Sequence, residues 1–142
     1  RDSTRISDLG SIKSAIGLYL ATATSTDVTY NISGDTARCT VGATSPFTLS
    51  CTQNASTTVD GTGWVLIRLT DTTGGSPLAV LPKDPTNDAT YFYAYAADES
   101  ENTFELNGKL ESTKYAALMT NDKDGGNNAS YYEIGTDPGL DL

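Results

Sequence analysis

The stretch RISDLGSIKSAIGLYLATA, residues 5–23, decides the fold class. Its apolar side chains recur mostly every third or fourth position, at Ile6, Leu9, Ile12, Ile16, Tyr19 and Leu20. This spacing places them on one side of an α-helix and leaves the polar side chains on the other. We therefore predict an amphipathic helix over residues 4–21, about 27 Å long. On its solvent-exposed face, Arg5 is close enough in sequence to pair with Asp2 and with Asp8.

The rest of the chain has the pattern of short strands separated by turns. VTYNIS (28–33) alternates apolar and polar residues, and three similar runs follow in the second half: 90–98, 102–112 and 130–137. The run GWVLIRL (63–69) is apolar, but the glycines and prolines of residues 70–85 exclude a regular ladder there. We predict a single α+β domain over 1–142, in which a helix at residues 1–22 packs on an antiparallel sheet formed within a β-rich head at residues 23–142.

Composition excludes several classes of function. The 142 residues carry a formal charge of −9, and the nine basic residues are scattered, so nucleic acid is not an expected partner. The absence of histidine excludes Ser-His-Asp and Cys-His catalysis. A carboxylate pair stays formally open, but 18 acidic residues make chance pairs common. We therefore predict a protein that is not an enzyme, and the small charged fraction favours an extracytoplasmic domain.

Cys39 and Cys51 flank the turn-forming sequence GATSP, which suggests two short strands that face each other. We predict a disulfide between the two cysteines, and two buried free thiols are the alternative. A zinc site is not expected, because there is no histidine and the spacing of the two cysteines matches no common zinc motif.

The aromatic run Tyr91, Phe92, Tyr93 and Tyr95 permits two interpretations. Exposed rings would offer a stacking surface to a sugar or another ligand, as in an extracellular carbohydrate-binding or ligand-binding module. The alternation of the tyrosines with Ala94 and Ala96 instead favours rings that are buried in a sheet.

The sequence NDKDGG (121–126) suggests a metal site. Asp122 and Asp124 alternate around a lysine and precede two glycines, a layout that can direct hard oxygen ligands at one calcium ion. It is only a fragment of a calcium loop, because an EF-hand needs a third alternate ligand and a later glutamate in register. A structural Ca²⁺ ion and a plain acidic turn both remain open.

Three segments, taken in order, resemble type IV pilins and type II secretion pseudopilins. RDSTRISDLGSIKSAIGLYL (1–20) is similar to the charged stretch and half-helix that follow the hydrophobic segment of these proteins. LPKDP (81–85) before an aromatic strand resembles their LP.DPWG motif, and YEIGTDPGL (132–140) resembles their closing strand and tail. Here, DPTND replaces the tryptophan and glycine of the major pseudopilins, and the cysteines do not lie at the C-terminus as in many pilins.

The resemblance implies a structural subunit that acts by helical self-assembly. Its partners would be copies of itself, other pilin-like subunits and the inner-membrane assembly machinery. The full-length precursor would carry an apolar helix before Arg1, which would anchor it in the cytoplasmic membrane, and the filament would lie at the cell surface or in the periplasm. Major pseudopilins bind calcium in a C-terminal loop, which supports the calcium interpretation.

Charged residues at the helix start are the expected contacts between subunits: Asp2, Arg5, Asp8 and Lys13. The alternative is that these four residues form only a solvated helix face.

Overall fold

The computed structural model describes residues 1–22, 36–42, 44–47, 50–72, 74–98, 103–112 and 131–136. Helix α1 (Asp2–Thr22) is followed by strands β1 (Thr36–Cys39), β2 (Thr52–Gln53), β3 (Tyr93–Asp98), β4 (Thr103–Gly108) and β5 (Tyr132–Gly135), with a 3₁₀ turn at Leu69–Asp71. The predicted strand at 28–33 and the predicted calcium ligands Asp122 and Asp124 lie outside the described residues.

Helix α1 confirms the helix that was predicted from the periodicity of the apolar residues. Leu9, Ile12, Ile16 and Tyr19 are buried in one core with residues of the sheet. This burial removes apolar surface from water and is the main source of stability for a helix of this length. No helix within the described ranges is long and apolar enough to cross a membrane.

The sheet has five strands in the order β2-β1-β3-β4-β5. The pairs β1–β3, β3–β4 and β4–β5 are antiparallel, but β1 and β2 are parallel, with Arg38 opposite Thr52. The α+β class is therefore confirmed, whereas the prediction of a purely antiparallel sheet is wrong. The connection between β1 and β2 is long enough to return the chain to the starting end of β1, as a parallel pair requires.

The disulfide between Cys39 and Cys51 is confirmed, with 5.7 Å between the two Cα atoms. The hairpin expected around it is wrong, because the two cysteines flank a connection between parallel strands. The bond joins the end of β1 to the residue before β2. It closes a loop that would otherwise add conformational entropy to the unfolded chain.

The aromatic run is buried on both faces of the sheet. Tyr93 and Tyr95 belong to the core beneath α1, whereas Phe92 belongs to a second cluster that includes Cys39 and Ala94. Phe92, Tyr93 and Tyr95 are each at most 1% exposed. These three rings therefore do not form the exposed stacking surface that one interpretation of the sequence required.

Candidate functional site

Five charged side chains meet at the start of α1, and we refer to them as the charge cluster: Arg1, Asp2, Arg5, Asp84 and Glu111. Arg5 lies at its centre and is fully buried. The partners of Arg5 come from the first turn of α1, from the segment after β4 and from residues 76–88, which we call the proline loop. The cluster thus joins three segments that are distant in sequence.

The pair Arg5–Asp84 is bidentate. Arg5 Nε donates to Asp84 Oδ2 at 2.6 Å, and Arg5 Nη2 donates to Asp84 Oδ1 at 2.9 Å. Asp84 Oδ1 also accepts the backbone N–H groups of Thr86 at 2.8 Å and Asn87 at 3.3 Å. The same carboxylate therefore folds the proline loop around itself and holds the loop against α1.

Asp2 forms the second connection. Its Oδ1 accepts from Arg5 Nη1 at 2.8 Å and from the backbone N–H of Glu111 at 2.9 Å, and its Oδ2 accepts from the backbone N–H of Ser112 at 2.8 Å. Glu111 Oε2 in turn lies 3.2 Å from Arg5 Nη1 and 3.0 Å from Arg1 Nε. The helix start is thereby bonded to the segment that follows β4.

The guanidinium of Arg5 uses all its donors within the domain. Besides its contacts with Asp84, Asp2 and Glu111, Nη2 donates to Thr86 Oγ1 at 3.1 Å. The guanidinium carbon also lies 4.9 Å from the centre of the Tyr91 ring, a cation–π contact. A fully bonded Arg5 has no N–H group left for a ligand, so the charge cluster acts as a structural clamp between the three segments.

The pKa values follow from these contacts. Burial alone would lower the pKa of Arg5, but its hydrogen bonds with Asp84, Glu111 and Asp2 outweigh that effect and raise the pKa above its usual value. Burial would raise the pKa of Asp2, but the N–H groups of Glu111 and Ser112 and the guanidinium of Arg5 lower it to about 2. Both side chains therefore stay charged near neutral pH.

Acid titration should reveal the contribution of ionised Asp2 to the stability of the fold. Because the pKa of Asp2 is lowered from its usual 3.8 to about 2 on folding, its ionised form stabilises the fold at neutral pH. This contribution, about 2 kcal/mol, is lost as the pH falls from above 4 to below 2. We expect the difference in free energy of unfolding between the parent and Asp2→Asn to shrink by that amount over this range. A difference that stays constant in denaturant titrations would contradict the assignment.

The structure corrects the expected position of Arg5. The sequence analysis placed it on the solvent-exposed face of α1, paired with Asp2 and near Asp8. The Asp2–Arg5 pair is present, but it is buried, and the described residues contain no Arg5–Asp8 pair. Asp2 and Arg5 continue the buried stripe at the spacing of Leu9 and Ile12, and that spacing was the signal available in the sequence.

Asp8 forms its hydrogen bond with a residue of the sheet. Its Oδ2 accepts the Tyr93 hydroxyl at 2.7 Å, so its carboxylate bonds the helix to β3. Burial and the nearby charge of Asp84 raise the pKa of Asp8, and the Tyr93 hydrogen bond lowers it only in part. Burial and the hydrogen bond to Asp8 together raise the pKa of Tyr93.

Of the four predicted assembly residues, Lys13 is exposed, Asp8 is half-buried, and Asp2 and Arg5 are buried in the clamp. The bonds described for Asp2, Arg5 and Asp8 all lie within the chain. The idea that these four residues contact neighbouring subunits stays a prediction.

The side of α1 away from the sheet carries four small residues and one leucine, and we call it the open helix face: Ser7, Gly10, Ser11, Ser14 and Leu18. Leu18, near the end of α1, is 45% exposed and is the large apolar side chain of this face. Pro77 and Leu78 of the proline loop border this face and make it one wall of a shallow groove. The clamp and the groove thus share the proline loop.

The described residues and the comparisons with known proteins identify no further site. Within the described part of the chain, no group of three or more His, Cys, Asp or Glu side chains is arranged to hold a metal ion. Comparison of the chain with protein-family models, with curated proteins and with solved structures found no match.

Proposed function

We propose that this chain is the head of a structural subunit of a type IV pilus or a type II secretion pseudopilus, and that it acts by helical self-assembly. The observation that carries the proposal is the asymmetry of α1. One side is fixed to the sheet and to the clamp, whereas the open helix face presents small side chains along several turns. The resemblance of residues 1–20, 81–85 and 132–140 to pilins and pseudopilins supports the same function.

The contacts of α1 suit a filament subunit. A filament grows through heterologous contacts that do not close, so each subunit must present a surface of fixed orientation. The clamp fixes the start of α1 at Arg5, and the core fixes the rest through Leu9, Ile12 and Tyr19. Small side chains at Ser7, Gly10 and Ser14 allow another helix to approach closely.

The proposal includes the partners and the location. Copies of the chain, other pilin-like subunits and the inner-membrane assembly machinery would be its partners. In the full-length precursor, an apolar helix before Arg1 would anchor the subunit in the cytoplasmic membrane. The assembled filament would lie in the periplasm or at the cell surface.

Substitutions at Gly10 separate folding from assembly. Apart from its chain neighbours and the backbone of its own helix, a Cβ atom at Gly10 would meet no atom within 4 Å, so the isolated domain has room for a larger side chain. We expect Gly10→Ala to stabilise the isolated domain by about 0.5–1 kcal/mol, because alanine has a higher helix propensity than glycine.

We expect Gly10→Phe to leave the domain folded but to abolish filament assembly by the full-length protein, measured by electron microscopy and sedimentation.

Ala89→Phe is the matched control, since Ala89 is exposed and lies outside the open helix face. Filaments should form with this variant. Filaments of Gly10→Phe that match the parent in number and length would refute the assembly surface.

A ligand-binding module was the alternative suggested by the aromatic run. Its stacking surface required exposed rings, whereas Phe92, Tyr93 and Tyr95 are buried. The filament subunit is therefore the single function that we propose.

A further inference from the structure

The second half of the proline loop is held by hydrogen bonds to residues elsewhere in the chain. The bonded pairs are Leu81–Thr57, Pro82–Trp64, Asp84–Arg5 and Asn87–Thr40. Leu81 and Asp84 are also buried. These contacts fix residues 81–88 against the core and against α1.

Residues 76–80, which we call the flap, bond only to one another among the described residues. Ser76 Oγ donates to the Leu78 carbonyl at 2.6 Å and accepts the Leu78 N–H at 3.2 Å. Pro77, Ala79 and Val80 are exposed, whereas Leu78 is half-buried and packs against the core. A segment with so few bonds and so little buried surface opens at a low cost in free energy.

Two glycines precede the flap and supply a hinge. Gly74 and Gly75 have φ angles of +88° and +94°, in the region of backbone conformation that favours glycine. Apart from its chain neighbours, a Cβ atom at either position would meet no atom within 4 Å. The Gly75 N–H donates to the Thr72 carbonyl at 2.8 Å, which attaches the base of the hinge to the residue after the 3₁₀ turn. The chain beyond Gly75 can therefore rotate without disturbing packed side chains.

The closed flap covers one part of α1. Ala15 lines the groove together with Pro77 and Leu78, and it is only 3% exposed. Ser14 and Leu18, which line the same groove, are exposed. Ala15 therefore lies where the flap meets the helix, and movement of the flap away from α1 would uncover it.

We propose that the flap is a hinged lid that controls access to the groove beside α1. It opens about Gly74 and Gly75 while residues 81–88 stay in place. Opening withdraws Leu78 from the edge of the core and uncovers Ala15. An open flap also widens the groove for a neighbouring helix, and this consequence rests on the proposed function, whereas the motion belongs to the single chain.

Thiol labelling of the 142-residue chain tests the lid. Because both native cysteines form a disulfide, Ala15→Cys adds one free thiol beneath the flap. Ala97→Cys is the matched control, since Ala97 is 2% exposed in the same core but does not line the groove. We expect iodoacetamide to modify Ala15→Cys at least about 100-fold faster than Ala97→Cys, because only the second reaction requires the core to open. Equal rates would overturn the proposal.

Variants of the hinge and of the flap test the mechanism of opening. In the Ala15→Cys background, Gly75→Ala should speed labelling about fivefold, because alanine strains the closed hinge at a φ of +94°. Leu78→Ala should also speed it, since it removes the contact of the flap with the core. Val80→Ala is the control within the flap and should leave the rate unchanged, because Val80 is 61% exposed.

The same variants in the Ala97→Cys background exclude a general loss of stability, because labelling there should not change. The lid is overturned if Gly75→Ala leaves the labelling of Ala15→Cys unchanged, or if it accelerates both thiols equally. Filament assembly does not enter this measurement. The proposed function can therefore fail while the lid is confirmed, and the lid can fail while the Gly10→Phe test of assembly stands.

Discussion

Arg5→Met should lower the free energy of unfolding by about 3–5 kcal/mol, as expected when one partner of a buried ion pair is removed. Methionine retains much of the length of the side chain but none of its five N–H donors. Asp84, whose side chain is fully buried, would lose its bidentate partner, and Asp2 would lose its hydrogen bond from the guanidinium. Denaturant unfolding monitored by fluorescence and by circular dichroism measures the loss.

Lys13→Met is the matched control for Arg5→Met, since it removes a positive charge from an exposed position of the same helix. We expect it to change stability by no more than about 0.5 kcal/mol. In a double-mutant cycle, Asp84→Asn should be much less harmful in the Arg5→Met background than in the parent. A loss of less than 1 kcal/mol for Arg5→Met, or additive effects in the cycle, would show that the clamp does not stabilise the domain.

Trp64→Ala should cost about 3–5 kcal/mol, because it removes the largest buried side chain from the core. The Trp64 ring lies 6.0 Å from the Tyr93 ring, and its Nε1 donates to the carbonyl of Pro82 at 3.1 Å. Trp64 therefore supports the proline loop from the core side, whereas Arg5 holds it through Asp84. Thermal and denaturant unfolding of the variant would measure the effect.

Trp64→Phe distinguishes ring packing from the hydrogen bond. Phenylalanine fills most of the volume but leaves the Pro82 carbonyl without its donor, so a loss of roughly 1–3 kcal/mol is expected. The ranking of parent, Trp64→Phe and Trp64→Ala should therefore be strictly descending in stability. A Trp64→Ala variant as stable as the parent would contradict the position of Trp64 in the core.

The elements that local periodicity encodes could be predicted from the sequence. The apolar residues of α1 repeat at the helical period, and strands β3, β4 and β5 lie within the three runs predicted for the second half of the chain. The buried aromatic run also follows from alternation, since Tyr93 and Tyr95 face one side of β3 and Ala94 and Ala96 face the other.

Long-range pairing could not be predicted in the same way. The parallel partnership of β1 and β2 depends on the path of the connection between them, and β2 has only two residues, both exposed. The sequence around Cys39 and Cys51 contains turn signals that suit a hairpin equally well. Only the three-dimensional path of the connection shows which pairing forms. The chain can cross back and pair in parallel with β1, or it can reverse and pair antiparallel with it.

The charge cluster could not be predicted from the sequence for a related reason. Asp84 lies 79 residues from Arg5, in a segment whose prolines indicated only irregular backbone. An arginine at the start of an amphipathic helix normally faces water, because burial of an unpaired charge is costly. Arg5 is buried because the proline loop brings Asp84 to it, and no local pattern encodes that contact.

In the proposed subunit, helix α1 has two separate tasks. Arg5, Leu9 and Ile12 hold it to the domain. In the proposed filament, the open helix face would contact a helix of another subunit. Variants of the clamp should therefore reduce assembly only as far as they unfold the head, whereas variants of the open helix face should reduce assembly without unfolding it.

Electron cryomicroscopy of filaments assembled from the full-length protein tests the central claim most directly. The account predicts helical filaments in which α1 faces the interior, with Ser7, Gly10 and Ser14 against a helix of a neighbouring subunit. Filaments with α1 on the outer surface and Gly10 exposed to solvent would contradict it, as would a full-length protein that stays monomeric alongside its assembly machinery.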